Sequence, residues 1–463
     1  MSHEGRSWRA RSAGTVAGIA AALLLAGCGG EAHYPINPRL AHHDPNAGYR
    51  IENVAADAGN SHAMLVVLMI SGGGTRAAAL AYGALEALRD SKVVVAGRDT
   101  NLLDEVDYIT AVSGGSITAA YFGLRGDRIF DEFADRFLYR DVERELRGEL
   151  WSSLPRMRSA RFGRGDLLSK YFDEQLFDKA TYADLARRPR PFIVVNATDL
   201  SSGGQFSFTQ TYFDLLCSDL SGVPVGRAVA ASASLPLFFS PITLWNYAGS
   251  CGFQAPEWFA AEPKDPRVRR ELNNLRTYTD ARKRPHVHLL DGGLLDNLAL
   301  RQAVSTVYRR GGFAKTLDVL GYGDAPDIVF ISIDAEREPN FRLDGSADVP
   351  TLPEVSRAIG VVLTQSSFEA TLLAEDSAQK WYDELVKRRK PGAPALNFYF
   401  IDVSLRNVRD AVERARFMDI PTAFTLPRQD VDDLRALARR LLAESADYQS
   451  LMRRQQAHAA AGK

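Results

Sequence analysis

The chain lacks a strong charge of either sign, and no N-terminal apolar run is long enough to cross a bilayer. Its 463 residues contain 56 Lys and Arg against 57 Asp and Glu, a formal net charge of -1. This balance shows no global bias toward nucleic acid. Residues 14–27 form an apolar run that has only the length of a signal-peptide core. With 46% hydrophobic residues, the composition is that of a globular protein.

Two phosphate-binding signatures are also missing. The apolar run at residues 64–70 predicts a strand buried on both faces, and the helix-forming residues 77–89 follow it. Between them lies SGGGTR, residues 71–76, without the Gly-Lys-Ser/Thr of a P-loop or the spacing of a dinucleotide fingerprint. Glycines before a helix expose backbone N–H groups, so this loop fits the oxyanion of acyl transfer. A turn that serves close packing alone is the alternative.

A serine lies at a second junction between a strand and a helix. Residues 106–112 have the composition of a buried strand, and residues 116–122 suit the start of a helix. The sequence AVSGG at residues 111–115 resembles a nucleophile elbow, with Ala111 in place of the usual first glycine and Gly115 as the second. We therefore identify Ser113 as the candidate nucleophile. The alternative is that Ser113 only caps the helix.

An aspartate follows a third predicted strand. Residues 286–293 read HVHLLDGG, so that Asp291 ends the strand before two glycines, where the active sites of α/β proteins gather. The next polar pair, Asp296 and Asn297, is interpreted as a structural cap or turn at the start of the following helix. A Ser-His-Asp triad through His286 or His288 is a weaker alternative, because both precede the strand end, and Asp199 is a lesser carboxylate candidate.

The N-terminus resembles that of a bacterial lipoprotein. Basic residues precede the apolar run, which ends in LAGC at residues 25–28 and resembles a lipobox. This resemblance implies cleavage before Cys28 and acylation of that cysteine; a plain secretory signal is the alternative. In an oxidising compartment Cys217 and Cys251 can pair, although two separate thiols remain possible.

Taken together, SGGGTR, AVSGG, ASASLP at residues 231–236 and DGG resemble the patatin-like phospholipase family over residues 64–335. The resemblance implies a three-layer α/β/α sandwich and a lipid acyl hydrolase with a Ser113-Asp291 dyad that needs no metal or cofactor. Gly72, Gly73 and Gly74 would form the oxyanion loop with Arg76, which would orient the loop or meet a phosphate. Ala77 departs from the family, in which glycine usually follows the arginine.

These observations predict four regions: a signal peptide at 1–27, a tether at 28–61 whose later part can pack on the domain, a catalytic α/β domain at 62–335 and a mainly helical α/β extension at 336–463. The extension covers the edge of the core, gates the site or binds a partner, and the pattern does not choose among these. Phe238 and Phe239 line an acyl groove or pack in the core.

The expected function is that of a membrane-anchored phospholipase or lysophospholipase in the bacterial envelope, facing the periplasm. Its expected partners are an acyl-ester lipid and a membrane, with no nucleic acid. Because Gly29 follows Cys28 in place of an aspartate, the outer membrane is favoured over the inner one. A thioesterase, a short-chain carboxylesterase and a non-catalytic lipid-binding lipoprotein are the alternatives.

Overall fold

A computed structural model of the protein describes residues 32–53, 61, 63–188, 190–323, 325–337, 344–351, 376–389, 392 and 395–461. The predicted signal peptide at 1–27 and Cys28 lie outside the described residues. No helix within these ranges combines the length and the apolar character that crossing a membrane requires.

The described strands form one mixed sheet of eight strands and a separate two-stranded hairpin. The strands are β1 (Met64–Ile70), β2 (Lys92–Val95), β3 (Arg98–Asn101), β4 (Val106–Val112), β5 (Phe192–Asp199), β6 (Gln205–Ser207), β7 (Ile242–Trp245), β8 (His286–Asp291), β9 (Asp327–Asp334) and β10 (Asn397–Ser404). The order across the large sheet is β10-β9-β1-β4-β5-β8-β7, with β6 also paired to β5, and β2 and β3 form the hairpin.

The first five strands of this order are mutually parallel, whereas β6, β7 and β8 pair antiparallel. Every residue of β1, β4, β5 and β9 is buried, because helices cover both faces of a parallel sheet. The continuous apolar runs of the sequence follow from this double burial, and the predicted three-layer α/β/α sandwich is confirmed.

The described part of the chain contains sixteen named helices. They are α1 (Thr75–Asp90), α2 (Gly114–Arg125), α3 (Ile129–Phe133), α4 (Val142–Ser152), α5 (Leu154–Met157), α6 (Arg164–Tyr171), α7 (Tyr182–Ala186), α8 (Gln210–Leu215), α9 (Val225–Ser232), α10 (Glu257–Ala260), α11 (Pro266–Thr277), α12 (Leu300–Arg309), α13 (Phe313–Leu320), α14 (Ala411–Asp419), α15 (Arg428–Glu444) and α16 (Ala446–Ala461). Residues 376–388 are also helical.

The C-terminal region continues the core of the domain. Strand β10 pairs in parallel with β9 along its whole length, and α15 packs against α1. The apolar positions of α15 are buried, as the amphipathic pattern of residues 431–442 predicts. The sequence left three roles open for this region: covering the edge of the core, gating the site or binding a partner. These contacts agree with the first role.

Residues 32–53 lie against the domain, so packing extends over more of the predicted tether than its later part alone. The Tyr49 hydroxyl donates to the Ile193 carbonyl at 3.1 Å and accepts from the Ile193 N–H at 2.8 Å. The Asn37 amide donates to the Ser218 hydroxyl at 2.9 Å. A segment without hydrophobic periodicity can still pack when single side chains such as Tyr49 enter the core, which a periodicity search does not detect.

A disulfide joins Cys217 and Cys251 next to this N-terminal segment. The carbonyl of Cys217 accepts from the N–H of Leu40 at 2.8 Å, and that of Cys251 accepts from the N–H of His43 at 2.9 Å. The disulfide therefore holds together the two loops on which residues 40–43 dock.

Reduction of this disulfide is expected to lower the free energy of unfolding by about 2–4 kcal/mol, because the reduced chain gains conformational freedom when unfolded. Thermal unfolding with and without reductant measures the effect. The matched control is the variant with both Cys217→Ser and Cys251→Ser, which should unfold at the lower temperature in both conditions. An oxidised protein that melts at the same temperature as this variant contradicts a stabilising disulfide.

Candidate active site

Ser113 occupies the turn that joins β4 to α2. Its backbone has φ 50°, in the left-handed region that an L-residue rarely adopts. Close approach of the Gly-rich loop explains the two glycines that follow: a Cβ on Gly114 would lie 2.0 Å from the Gly74 carbonyl oxygen, and one on Gly115 would lie 2.5 Å from that of Ser71. Ala111 is completely buried within β4, so this position accommodates the extra methyl group.

The structure brings Ser113 together with Asp291, which lies at the end of β8. The Ser113 hydroxyl donates to Asp291 Oδ2 at 2.8 Å, and both residues are buried. The other carboxylate oxygen accepts from the Gly293 N–H at 2.8 Å, and the Asp291 N–H donates to the Ser234 carbonyl at 3.0 Å. These contacts fix the carboxylate so that one oxygen faces the serine.

Burial raises the pKa of the Asp291 carboxyl to about 6, although the hydrogen bonds from Ser113 and Gly293 oppose the shift. No cationic side chain is among the causes of this shift. A carboxylate in such surroundings holds a proton more readily than an exposed aspartate, which suits a group that must accept and return one near neutral pH.

The Gly-rich loop passes directly over Ser113. A Cβ on Gly72 would lie 3.1 Å from the Cβ of Ser113. The Gly72 N–H donates to the Asn297 carbonyl at 3.1 Å, so the assignment of Gly72 as an oxyanion donor is corrected. Gly73 and Gly74 have positive φ values of 142° and 61°. Within the described ranges neither of their N–H groups is hydrogen-bonded, which leaves both for a ligand.

Arg76 lies on α1 directly after this loop and is completely buried. Its guanidinium donates to the carbonyl of Ala335 at 3.1 Å, to that of Ile420, and to the Thr422 hydroxyl at 3.4 Å. Because the charge is enclosed by protein acceptors, a direct contact with a substrate phosphate is excluded in this arrangement. The alternative prediction, that Arg76 orients the loop, agrees with these bonds.

The C-terminal residues 420–424 hold the loop from its outer side. The Ala423 carbonyl accepts from the Thr75 N–H at 2.8 Å, and the Phe424 carbonyl accepts from the Thr75 hydroxyl at 2.9 Å. We call residues 420–424 the loop clamp. It lies about 350 positions from the loop in sequence, so no local signal in the chain announces it.

Gly74→Ala is expected to lower the rate of ester hydrolysis by at least about 10²-fold, the typical cost of losing one oxyanion donor. The new Cβ would lie 2.5 Å from the Ala423 carbonyl oxygen, so the loop must move away from the clamp. Gly203→Ala is the matched control, because Gly203 has the same φ of 61° but nothing within 4 Å of its Cβ position. Hydrolysis is measured with a soluble ester. Equal rates of hydrolysis in the two variants would show that catalysis does not depend on the position of the Gly-rich loop.

Ser232 is a site residue to which the sequence assigned no role. Its hydroxyl accepts from the Ser113 N–H at 2.8 Å and donates to the Asn196 carbonyl at 2.6 Å. The same hydroxyl lies 2.9 Å from that of Ser116. Ser232 therefore holds the backbone of the turn. Its position in the ASASLP motif is the feature of the sequence that could have indicated this role.

The other candidate residues serve structural roles. His286 and His288 are exposed and point to the face of β8 opposite Asp291, which excludes the triad. The Asp199 carboxylate accepts from Tyr278 and Arg284, which fixes it in a separate network. Asp296 accepts from the Arg301 N–H at 2.6 Å, in agreement with the predicted cap of α12.

The two phenylalanines after ASASLP differ in environment. Phe239 packs edge-on against Phe424 with 5.8 Å between ring centroids, as core packing predicts. Phe238 is exposed, so it does not line a closed groove here.

A buried serine hydrogen-bonded to a carboxylate, beside a Gly-rich junction of strand and helix, is an arrangement typical of acyl hydrolases. The sequence profile of the family described as Patatin-like phospholipase matches residues 68–304, more than half of the chain. The chain belongs to the patatin-like phospholipase family, a family of lipid acyl hydrolases. This assignment confirms the resemblance inferred from the motifs.

Solved structures similar to this one include human GIVD cytosolic phospholipase A2, with 12% identity, coverage of 89% of this chain and 64% of that chain, and a TM-score of 0.38. The same human protein in complex with methyl gamma-linolenyl fluorophosphonate has 13% identity, with coverage of 89% of this chain and 60% of that chain and a TM-score of 0.40. VipD from Legionella pneumophila has 12% identity, with coverage of 91% of this chain and 71% of that chain and a TM-score of 0.31. The chain spans less than two thirds of the human protein. No curated protein matches the sequence.

Proposed function

We propose that this protein is a serine acyl hydrolase that cleaves ester bonds of phospholipids or lysophospholipids through a Ser113-Asp291 dyad. The observation that carries the proposal is the 2.8 Å hydrogen bond from the Ser113 hydroxyl to Asp291 Oδ2, at a strained turn beneath the Gly-rich loop. Membership of the patatin-like phospholipase family supports a lipid substrate.

In the first half of the reaction, Ser113 Oγ attacks the carbonyl carbon of the ester while its proton passes to Asp291 Oδ2. The carbonyl oxygen becomes an oxyanion that accepts from the N–H groups of Gly73 and Gly74. When the tetrahedral intermediate collapses, the bond to the alcohol oxygen breaks and that oxygen takes the proton from Asp291. The products of this half are the free alcohol and an acyl ester of Ser113.

In the second half, water attacks the acyl carbonyl and gives one proton to Asp291. Collapse of the new intermediate breaks the bond to Ser113 Oγ, which takes that proton back. The fatty acid leaves, and both side chains return to their starting states.

The substrate class is tested by comparing four esters with purified protein: phospholipid vesicles, a lysophospholipid, a soluble short-chain ester and an acyl thioester. Fatty-acid release from the first two at a higher kcat/KM than from the last two supports the proposal. A clear preference for the thioester or the short-chain ester would make the protein a thioesterase or a carboxylesterase. No turnover of any of them would favour a lipid-binding lipoprotein.

We further propose that the protein is anchored in the bacterial envelope by acyl chains on Cys28 and faces the periplasm, with the outer membrane favoured. The LAGC sequence at 25–28 supports the anchor, and the disulfide between Cys217 and Cys251 suits an oxidising compartment. Metabolic labelling with a palmitate analogue, followed by membrane fractionation, tests this. Equal labelling of the native chain and of Cys28→Ser would exclude the anchor.

A further inference from the structure

Large apolar side chains lie exposed on two neighbouring segments. The first segment, residues 142–164, contains α4 and α5, and its Trp151 is 75% exposed, with Leu154 also exposed. The second is the loop after ASASLP, in which Leu237 is 59% exposed beside the exposed Phe238. Tryptophan is enriched at protein interfaces and at membrane interfaces, and a group of exposed apolar side chains marks a possible contact surface. We call these side chains, with the arginines described next, the interfacial patch.

The first segment presents positively charged side chains to solvent. All six of its arginines are exposed: Arg144, Arg147, Arg156, Arg158, Arg161 and Arg164. Within the part of the chain that the structure describes, none of the six forms an ion pair. The exposed side of the segment therefore combines apolar rings and chains with unneutralised positive charge.

The three acidic residues of the segment are half-buried, and each has a partner in the protein. Glu149 pairs with Lys170 at 2.8 Å, and Glu145 pairs with Arg140 at 2.7 Å. Glu143 accepts from the N–H of Phe424 at 3.2 Å. Glu145 and Glu149 are thus neutralised by cations outside this set of six arginines, and Glu143 alone leaves the segment with an excess of positive charge.

The patch adjoins the active site. The Arg164 guanidinium donates to the Leu237 carbonyl at 2.7 Å, and the Gly165 N–H donates to the Ser240 hydroxyl at 2.9 Å, so the two segments are in contact. Leu237 lies three residues after Ser234, whose carbonyl accepts from the N–H of Asp291. The Leu237 end of the patch is thus connected through a short stretch of chain to the strand end that carries Asp291.

We propose that the interfacial patch docks the protein on the surface of an anionic phospholipid bilayer. Tryptophan and leucine enter the boundary between headgroups and acyl chains, and arginines are attracted to anionic headgroups. This contact is separate from the acyl anchor proposed at Cys28. The inference rests on the proposed function only in that the docked bilayer would supply the substrate.

Binding is measured by co-sedimentation with vesicles of phosphatidylcholine, with or without phosphatidylglycerol. The protein is made from Gly29 onward, which keeps every described residue and removes Cys28, and it carries Ser113→Ala so that no lipid is consumed. The first test variant combines Arg156→Gln, Arg158→Gln and Arg161→Gln. Its matched control removes the same charge elsewhere, through Lys92→Gln, Lys387→Gln and Arg409→Gln at exposed positions.

The second test variant combines Trp151→Ala and Leu154→Ala, with Val412→Ala as its control, because Val412 is 80% exposed on α14. We expect the arginine variant to lower partitioning onto anionic vesicles at least about tenfold, and the apolar variant to lower it on both kinds of vesicle. High salt should weaken only the arginine contribution. Test variants that bind like their controls, or a parent protein that binds neither vesicle, would overturn the proposal.

The same substitutions with Ser113 intact separate this inference from the proposed function. Slower release from vesicles with unchanged hydrolysis of a soluble ester supports both. Patch-dependent binding by a protein that hydrolyses no lipid would retain the docking surface and reject the phospholipase. Hydrolysis of lipid by a protein whose vesicle binding does not depend on the patch would retain the phospholipase and reject the docking surface.

Discussion

Ser113→Ala is expected to reduce ester hydrolysis by at least about 10⁴-fold, the largest effect of any single substitution, as is typical for the loss of a catalytic nucleophile. The variant lacks the oxygen that forms the acyl-enzyme, and the carboxylate of Asp291 alone offers no substitute at that position. Fatty-acid release and hydrolysis of a soluble ester should fall together, because both require the same attack.

Ser116→Ala serves as the matched control for this variant. Ser116 lies on α2 one turn from Ser113, and its hydroxyl contacts Ser232 and not Asp291. The control should keep most of the activity, and both variants should unfold near the temperature of the native protein. Comparable hydrolysis by Ser113→Ala and the native protein would remove Ser113 as the nucleophile.

Asp291→Asn is expected to lower kcat by roughly 10²- to 10⁴-fold, the usual contribution of a general base. An amide cannot take the proton of Ser113, although it can keep the hydrogen bond from the Gly293 N–H. The variant should also resist unfolding at least as well as the native protein at neutral pH. Burial raises the pKa of Asp291, so its ionised form destabilises the fold, and the substitution removes that buried charge.

The pH dependence of the native enzyme provides an independent test of the same group. The base is active when ionised, so with a pKa of about 6 for Asp291 the rate should fall as pH drops below about 6 and should level off above it. Because the folded-state pKa is raised, the fold binds this proton more tightly than the unfolded chain does. Between the pKa of the unfolded chain and about 6, Asp291 is ionised in the unfolded chain but keeps its proton in the fold. The free energy of unfolding therefore decreases as pH rises across this window. A rate that stays constant down to pH 4 would contradict the assignment.

The catalytic elements could be predicted because each is coded by a short, local pattern. The Gly-rich loop, the AVSGG turn and Asp291 all follow directly after apolar strands, and the ends of neighbouring strands meet at one edge of a sheet. The sequence thus indicated which side chains belong together before any distance was known.

Features that depend on distant parts of the chain could not be predicted in this way. The loop clamp lies in the C-terminal region, Ser232 acts through its position against the turn, and Tyr49 docks a segment with no regular pattern. The assignment of Gly72 was wrong for the same reason, since its N–H is taken by Asn297 from a separate loop. Packing decides these contacts, and a single sequence does not reveal packing.

The most direct test of the central proposal is to locate the adduct of a long-chain fluorophosphonate by mass spectrometry, with fatty-acid release followed in the same samples. The account predicts one adduct on Ser113, formed in step with loss of activity, and slow labelling in Asp291→Asn because the base is missing. An adduct on another residue, or full activity after Ser113 is labelled, would contradict it.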